Sequence, residues 1–431
     1  MDTTSKLELI ASDMHLEPAE DYRPPRPGGA HLPPSAREPA PCGHSPAQLR
    51  NTLGNLPSPD VLSKARDLAA GGGAGGGGLE PKKNSLGIHN AVMPGGKRIA
   101  LLKTLLTSAC ELDCHYCPFR ARRNFRRATF KPEEMAQAFG DMHRVGLVQG
   151  MFLSSGIAGG GIRTQDRLIA TAEILRKKLS YRGYLHLKIM PGAERDQVER
   201  TMQLADRVSV NLEAPNSLRL QTLAPHKQFV EQLLEPLKWM EEIRRTRPAH
   251  LTWNGRWPSS VTQFVVGGAG ESDLEILTTT AHLYRDMRLA RTYFSAFSPV
   301  RDTPFENLPA ENPLREHRLY QSSFLIREYG FDLEDLPFTR AGNLPLDSDP
   351  KLAWARAHLS ESPVEVNLAG RRELLRIPGI GPAGVQAILA ARRQGKLRDL
   401  PDLRAIGVIA SRAAPFVLLD GKRPTQQLAF W

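Results

Sequence analysis

From Arg98 onward the chain alternates short apolar runs with longer amphipathic ones, and this alternation constrains the fold more than any other feature. RIALLKTLLTS precedes KPEEMAQAFGDMHRVG, GMFLSS precedes TQDRLIATAEILRKKLS, and YLHLKIM precedes ERDQVERTMQLAD. RVSVNLE then precedes KQFVEQLLEPLKWMEEIRRT, SVTQFVV precedes SDLEILTTTAHLYRDMR, and RTYFSAFSP precedes LREHRLYQSSFLIREYG. Strand-length runs followed by helix-length stretches demand a parallel sheet with right-handed crossovers. Six such units predict an α/β domain built as a partial, TIM-like (β/α)6 barrel. In such barrels the chemistry sits at the C-terminal ends of the strands.

Strand parity adds a second expectation. Side chains alternate faces along a strand. His186 and Lys188 therefore share one face of YLHLKIM, and Ser209, Asn211 and Glu213 share one face of RVSVNLE. Gln263 lies with Val261 and Val265, and Tyr293 with Ser295. Polar residues on the same face of several strands predict a lumen that binds something polar. A solvated sheet edge is the alternative.

Directly after the first strand come Cys110, Cys114 and Cys117, a Cys-x3-Cys-x2-Cys spacing. Three thiolates this close can hold three corners of a cubane iron–sulfur cluster and leave the fourth iron open, whereas a protected electron-transfer cluster takes four cysteines. An open position is what a catalytic metal site keeps. Tyr116 would place a flat apolar surface beside that iron. Zinc, with His115 or a distant residue as fourth ligand, and a chance cluster are the alternatives.

Composition sets limits around this centre. No apolar run approaches the roughly 20 residues of a membrane span. The N-terminus lacks a basic region followed by an apolar core, so it does not read as a secretory signal. Four cysteines, three of them clustered, make no disulfide framework and fit a reducing cytoplasm. Residues 1–84 are expected to be mostly disordered, with Cys42 a free thiol in a proline-rich stretch and GGGAGGGG a flexible spacer. A barrel over 85–335 and a linker plus small all-α domain over 336–431 complete the expected organisation.

The formal charge of +11 is concentrated in two places. FRARRNFRRATFK follows the cysteines with no acid before Glu133, a run that could line a substrate groove. Between Arg371 and Arg423 eleven Lys/Arg face four Asp/Glu. Both suggest a polyanionic partner. Within the second stretch, ELLRIPGIGPAGVQAILAARR resembles the helix-hairpin-helix motif of DNA-binding proteins. Gly379 and Gly381 would permit the tight hairpin, whose N–H groups and following helix N-terminus can bond a phosphate. Arg392, Arg393 and Lys396 would add Coulomb attraction. A degenerate second unit is suggested around Ile406-Gly407. A helical packing module with no nucleic acid is the alternative.

The cysteine spacing, followed at the fifth strand by VTQFVVGGAGESDLEIL, resembles the radical S-adenosylmethionine (AdoMet) superfamily. The resemblance implies a [4Fe–4S] cluster on Cys110, Cys114 and Cys117, with AdoMet on the open iron and cleaved to a 5′-deoxyadenosyl radical. It places Ser155 and Gly156 where the superfamily usually has Gly-Gly-Glu, whose main chain holds the AdoMet amino group. Asn211 and Glu213 would meet the ribose or methionyl group, Lys188 the carboxylate, and Gln263 and Gly267 the adenine side. Ser272 would cap the next helix.

LGIHNAVMPGGKRIALLKTLLTSACELDCHYC, YLHLKIMPGA, DRVSVNLEAP, LREHRLYQ, DPKLAWA and LLRIPGIG narrow the resemblance to the DNA modification/repair radical AdoMet proteins, often encoded beside a uracil-DNA-glycosylase-like protein. It covers roughly residues 84–420 and the short piece KLELIASD, which here lacks the cysteine that tends to follow it. The implied function is radical modification or repair of nucleic acid, DNA before RNA, with a flavodoxin- or ferredoxin-type electron donor. Single strands or a flipped nucleotide are the expected substrates. His186, Tyr293, Arg315, His317 and Tyr320 are candidates for substrate contact or hydrogen return. The rival readings are a radical AdoMet enzyme acting on RNA and a non-catalytic iron–sulfur protein that binds nucleic acid.

Overall fold

A computed structural model describes residues 1–12, 14, 86–92 and 96–424. The proline- and glycine-rich stretch with Cys42 lies outside the described residues. Seven strands form one sheet in sequence order: β1 (Ile88–Val92), β2 (Arg98–Leu105), β3 (Gly150–Ser154), β4 (Tyr184–Lys188), β5 (Arg207–Ser209), β6 (Ser259–Val266) and β7 (Arg291–Ala296). β1 pairs antiparallel with β2, and every later pairing is parallel. No pairing joins β7 back to β1, so the six parallel strands with their antiparallel edge make an open half-barrel.

Each strand end is set by what its residues can pair with. β5 is only three residues long because the chain beyond it leaves the ladder with β4. It keeps to β6 instead, through Glu213 N–H to the Gln263 carbonyl (2.9 Å) and Val265 N–H to the Glu213 carbonyl (2.8 Å). Glu213 itself has φ +65°, a left-handed conformation that costs a non-glycine residue energy. That turn aims its side chain off the strand end.

The helices in chain order are α1 (Thr3–Ala11), α2 (Pro132–Arg144), α3 (Gly160–Glu173), α4 (Arg195–Leu204), α5 (Ser217–Leu223), α6 (Glu235–Thr246), α7 (Asp273–Asp286) and α8 (Pro313–Tyr329). α1 contains the piece KLELIASD. Asp2 caps it by accepting from Ser5 N–H at 2.8 Å, and Leu7, Ile10 and Met14 are buried. Lys6 fixes it to α2 through Glu134 at 2.7 Å. α7 opens as expected on Ser272, whose hydroxyl accepts from Glu275 N–H at 3.2 Å while its own N–H donates to the Glu275 carboxylate at 2.8 Å.

The chain groups into two compact units, Met1–Ala269 with Met287–Ala310, and Gly270–Asp286 with Glu311–Trp431. The boundary at 335 expected from the sequence falls inside the second. That unit continues with α9 (Pro350–His358), α10 (Arg371–Arg376), α11 (Pro382–Ala391), α12 (Leu400–Ala405), α13 (Ala410–Ala413) and the short parallel pair β8 (Val364–Glu365) and β9 (Val417–Leu418). Leu374, Ile377, Ile380, Val385, Ile388, Leu403 and Val408 form its core. Two helix–turn–helix hairpins, α10–α11 and α12–α13, meet where the Ile409 N–H donates to the Gly379 carbonyl at 3.2 Å. No helix among the described residues is long and apolar enough to cross a membrane.

Candidate active site

The cysteines lie on the loop between β2 and α2, which is sewn shut at its base. The Thr107 and Thr129 hydroxyls bond at 2.6 Å, and the Ala128 N–H donates to Ser108 Oγ at 2.8 Å. The loop then lies flat against the end of β3. A Cβ on Gly156 would stand 2.2 Å from the Ala109 carbonyl oxygen, so only glycine allows this approach. The approach lets Ile157 N–H donate to Cys110 Sγ at 3.4 Å. Glu111 braces the same side, its carboxylate accepting from the N–H groups of Gly159 and Gly160.

On the opposite side the segment 222–227 holds the loop. His115 N–H donates to the Leu223 carbonyl at 2.7 Å, its Nδ1 sits 2.9 Å from the Thr222 carbonyl, and Asp113 pairs with His226 at 2.7 Å. The His115 ring is thus committed to a carbonyl through one nitrogen. Among the described residues no three His, Cys, Asp or Glu side chains gather around a single metal-ion position.

Above the cysteines opens a cavity of about 160 Å³ that is open to solvent on one side. Cys110, Cys114, Cys117, Tyr116, Ser155, Gly156, Lys188, Asn211, Glu213 and Gln263 all line it. The polar strand faces therefore do converge on one lumen. Gly267, at φ +90°, shapes the turn after β6 and is not part of the lining. His186 and Tyr293 lie two or more residues back from the lining positions on their strands. His186 Nε2 bonds Ser209 Oγ at 2.9 Å and the Tyr293 hydroxyl accepts from Arg207 at 3.4 Å, so neither is in the cavity wall. Arg315, His317 and Tyr320 belong to the second unit. There Arg315 pairs with Asp273 at 2.7 Å and Glu311 at 2.6 Å, and Tyr320 is buried.

One cavity residue had no sequence signal. Lys227, in the loop after α5, bonds Glu213 at 2.9 Å with both side chains nearly removed from solvent (9% and 5% exposed). Burial alone would push the Glu213 carboxyl up, but the Lys227 and Lys188 charges outweigh it and hold the acid below its usual range. The Tyr116 hydroxyl also donates toward this buried carboxylate and lowers the acid further. Burial lowers Lys188 to about 8 against the opposing pull of Glu213. Burial likewise raises the Cys114 thiol to about 11 and Cys117 further, so the sulfurs stay protonated until a metal displaces the proton.

Residues 104–283 match the family model described as the radical SAM superfamily. The chain carries a radical SAM domain. Its cofactors are a [4Fe–4S] cluster and S-adenosylmethionine, and the lining fits them. Three cysteines share the floor, and a buried carboxylate stands above them with two ammonium groups beside it. Among solved structures the chain is similar to methylornithine synthase (PylB), at 11% identity and a TM-score of 0.41 over 53% of this chain and 61% of that one. It is also similar to the FeFe-hydrogenase maturase HydG from Carboxydothermus hydrogenoformans, at 14% identity and a TM-score of 0.40 over 53% and 51%. The chain thus spans less than two thirds of either relative. No curated protein matches it.

The arginine run after the cysteines serves the radical SAM loop itself. Arg127 donates to the carbonyls of Ser108 (2.7 Å), Phe119 (3.0 Å), Arg120 (2.7 Å) and Arg123 (3.3 Å), and its guanidinium lies 4.1 Å from the Phe125 ring centroid. Arg120 holds the carbonyls of Cys114 and Asp113, both at 3.2 Å, and Arg123 that of Pro118 at 2.8 Å. Only Arg122 and Arg126 of this run are exposed. A lysine at 127 keeps the charge but cannot span four carbonyls. R127K is expected to assemble several-fold less cluster than wild type under identical anaerobic reconstitution, read as iron and sulfide per chain. An unchanged content would show that the loop does not need this clasp.

Proposed function

We propose that this radical SAM domain modifies or repairs nucleic acid, DNA in preference to RNA, with the second unit holding the backbone. The observation that carries the reading is the α10–α11 hairpin. Gly379 has φ +82°, and a Cβ there would meet the Ile409 carbonyl oxygen at 2.5 Å. The N–H groups of Gly379 and Gly381 make no hydrogen bond among the described residues. Together with the N-terminus of α11 they leave donors in place for a phosphate oxygen. In the α12–α13 hairpin the equivalent donors are used. Gly407 N–H bonds the Arg404 carbonyl (2.9 Å), Val408 that of Leu403 (3.0 Å) and Ile409 that of Gly379. The two hairpins are alike in form; in the first, Ile380 N–H bonds the Ile377 carbonyl (3.2 Å) while Gly379 and Gly381 keep theirs open.

The surrounding cations divide. Arg393 is exposed. Lys396 forms an exposed pair with Asp420 at 2.6 Å, which a phosphate can displace because such pairs contribute little. Arg392 is spent inside the unit on the Ala369 and Val366 carbonyls, at 2.7 and 3.3 Å. It supports α11 and does not reach for a ligand.

Cys110, Cys114 and Cys117 would hold the cluster, which on reduction would supply the electron for cleaving AdoMet and so for taking a hydrogen atom from the substrate. The chain's own residues prepare that event. Lys188 and Lys227 favour a carboxylate, and the Glu213 carboxylate favours an ammonium or hydroxyl. Met190, Val265 and Phe297 make part of the wall apolar and limit water. A flavodoxin- or ferredoxin-type donor, a uracil-DNA-glycosylase-like partner and a cytoplasmic setting belong to the same reading.

The test is anaerobic reconstitution with AdoMet and dithionite, with and without DNA or RNA, followed by mass spectrometry of released nucleosides. A mass change in DNA nucleosides supports the proposal, and a change in RNA alone moves the substrate to RNA. An intact cluster that never yields 5′-deoxyadenosine supports the non-catalytic reading. For the hairpin, Gly381 is the informative position, because its φ of −107° suits any residue and a Cβ there would press only on the Tyr329 hydroxyl, at 3.2 Å. G381V combined with R393E is expected to weaken single-stranded DNA binding about tenfold and to flatten its salt dependence by about one counterion per lost phosphate contact. Unchanged affinity and salt slope would remove the phosphate-gripping role.

A further inference from the structure

The second unit contains a cleft lined by Trp354, His358, Pro363, Leu368, Arg372 and Arg376, among others. Its wall is an ordered column of flat groups. The His358 imidazole stacks on the Trp354 indole at 4.6 Å with the planes 14° apart, and His358 Nδ1 is fixed to the Trp354 carbonyl at 2.8 Å. The Arg376 guanidinium lies 4.8 Å from the Trp354 ring and 4.2 Å from that of Phe331, and Phe331 meets the indole edge-on at 5.5 Å. Asp335 at 2.7 Å and the Gly330 carbonyl at 3.3 Å hold Arg376 in place. Trp354 therefore cannot turn, and the column ends at the exposed ring of His358.

Two features show that the column is not simply core. Leu368, on the same cleft, is 82% exposed and so offers its aliphatic surface beside the stack. Arg372 is also largely exposed, in a loose pair with Asp332 at 3.4 Å. The cleft's two carboxylates, Glu365 and Glu373, are taken up by the N–H groups of Gly421 (2.8 Å) and Gly370 (2.7 Å). The cleft thus combines a prefixed aromatic stack, an uncovered aliphatic side chain and a cation at the rim. These suit a flat, polar-edged heteroaromatic group attached to an anionic chain. An apolar peptide would not use the stack, and an anion alone would not use Leu368.

We propose that this cleft takes one unstacked nucleobase of a single strand, continuing the His358–Trp354 column; the inference rests on the nucleic-acid reading above. Placement supports it. Arg372 and Arg376 sit on α10, whose C-terminal end runs directly into the Gly379–Gly381 hairpin. α10 has six residues and is about 9 Å long, a distance that a few nucleotides of an extended strand can span. A phosphate on the hairpin and a base in the cleft can then belong to nearby nucleotides of one strand. Stacking of this kind tolerates any base, since every base has a π face.

The experiment compares the full-length protein's affinity for a short single-stranded oligodeoxynucleotide and for an abasic strand of the same length, by fluorescence anisotropy. Wild type is expected to prefer the base-containing strand about tenfold. H358A and L368N, both at exposed positions, are expected to lose that preference while their affinity for the abasic strand and their melting temperature stay unchanged. Equal binding of both strands by wild type, or a preference that survives in both variants, overturns the cleft and leaves the nucleic-acid reading standing. Binding of neither strand overturns both.

Discussion

Alanine in place of Cys110, Cys114 or Cys117 is expected to bring 5′-deoxyadenosine formation to background, each substitution alone sufficing. A three-cysteine cubane has no spare ligand. Among the described residues these are the three free cysteines, and His115 already gives one ring nitrogen to the Thr222 carbonyl. Each sulfur is also placed by a different contact. The Ile157 N–H reaches Cys110, Cys114 is buried at 6% exposure, and the Cys117 N–H turns back on the Cys114 carbonyl at 3.3 Å. A neighbouring side chain cannot slide into any of the three positions. Because burial keeps the Cys114 and Cys117 thiols neutral in the metal-free chain, losing a sulfur strands no charge. Unfolding of the metal-free variants should therefore shift by only about 1 kcal/mol, the scale of a small cavity. Iron content, visible absorbance and AdoMet cleavage, measured beside a melting curve, separate loss of the cluster from loss of the fold. Full cleavage by any one variant would refute the ligand assignment.

The barrel was legible because strand and helix periods are local properties. Each of the six apolar runs becomes a strand and each amphipathic stretch begins or contains a helix, two of them through π-helical turns at Ile174–Lys178 and Phe229–Leu234. Parity along the strands also located Lys188, Asn211, Glu213 and Gln263 correctly on the cavity wall. It could not say how deep each residue would lie, so His186 and Tyr293 looked like wall residues and are buried outside the cavity, bonded to their neighbours. Lys227 sits in a loop with no period at all, and only the return of segment 222–227 over the cysteines brings it to Glu213.

The arginines show a different limit. From sequence, FRARRNFRR is a block of charge facing a polyanion. In the fold, Arg120, Arg123 and Arg127 are captured by backbone carbonyls of the cysteine loop, which a tight irregular loop leaves without strand or helix partners. The same holds for Arg392 in the second unit. Charge density predicted a partner in both places, but which guanidiniums remain available depends on orphan carbonyls that no sequence pattern displays. The converse occurs at Gly379 and Gly381, where the sequence gives the turn and only the fold shows that the donors stay open.

Substituting methionine for Lys227 is expected to cost the first unit about 3 kcal/mol, because truncating one partner of a buried ion pair strands the other. Glu213 would remain 5% exposed with Lys188 as its nearest compensating charge. The pH dependence identifies the cause. In wild type the Glu213 pKa is held below its unfolded value, so its contribution is present at neutral pH and fades as the acid protonates in the folded state. In K227M burial dominates and the folded pKa rises above the unfolded one. The variant's deficit is then full at pH 7 and shrinks as pH falls and Glu213 takes up a proton. Chemical denaturation at pH 7 and pH 5 should show the gap between wild type and K227M narrowing in acid, and E213Q in the K227M background should recover part of the loss at pH 7. An equal deficit at both pH values would assign the cost to packing of the lysine stem, and the Lys227–Glu213 pair would lose its electrostatic role in shaping the cavity.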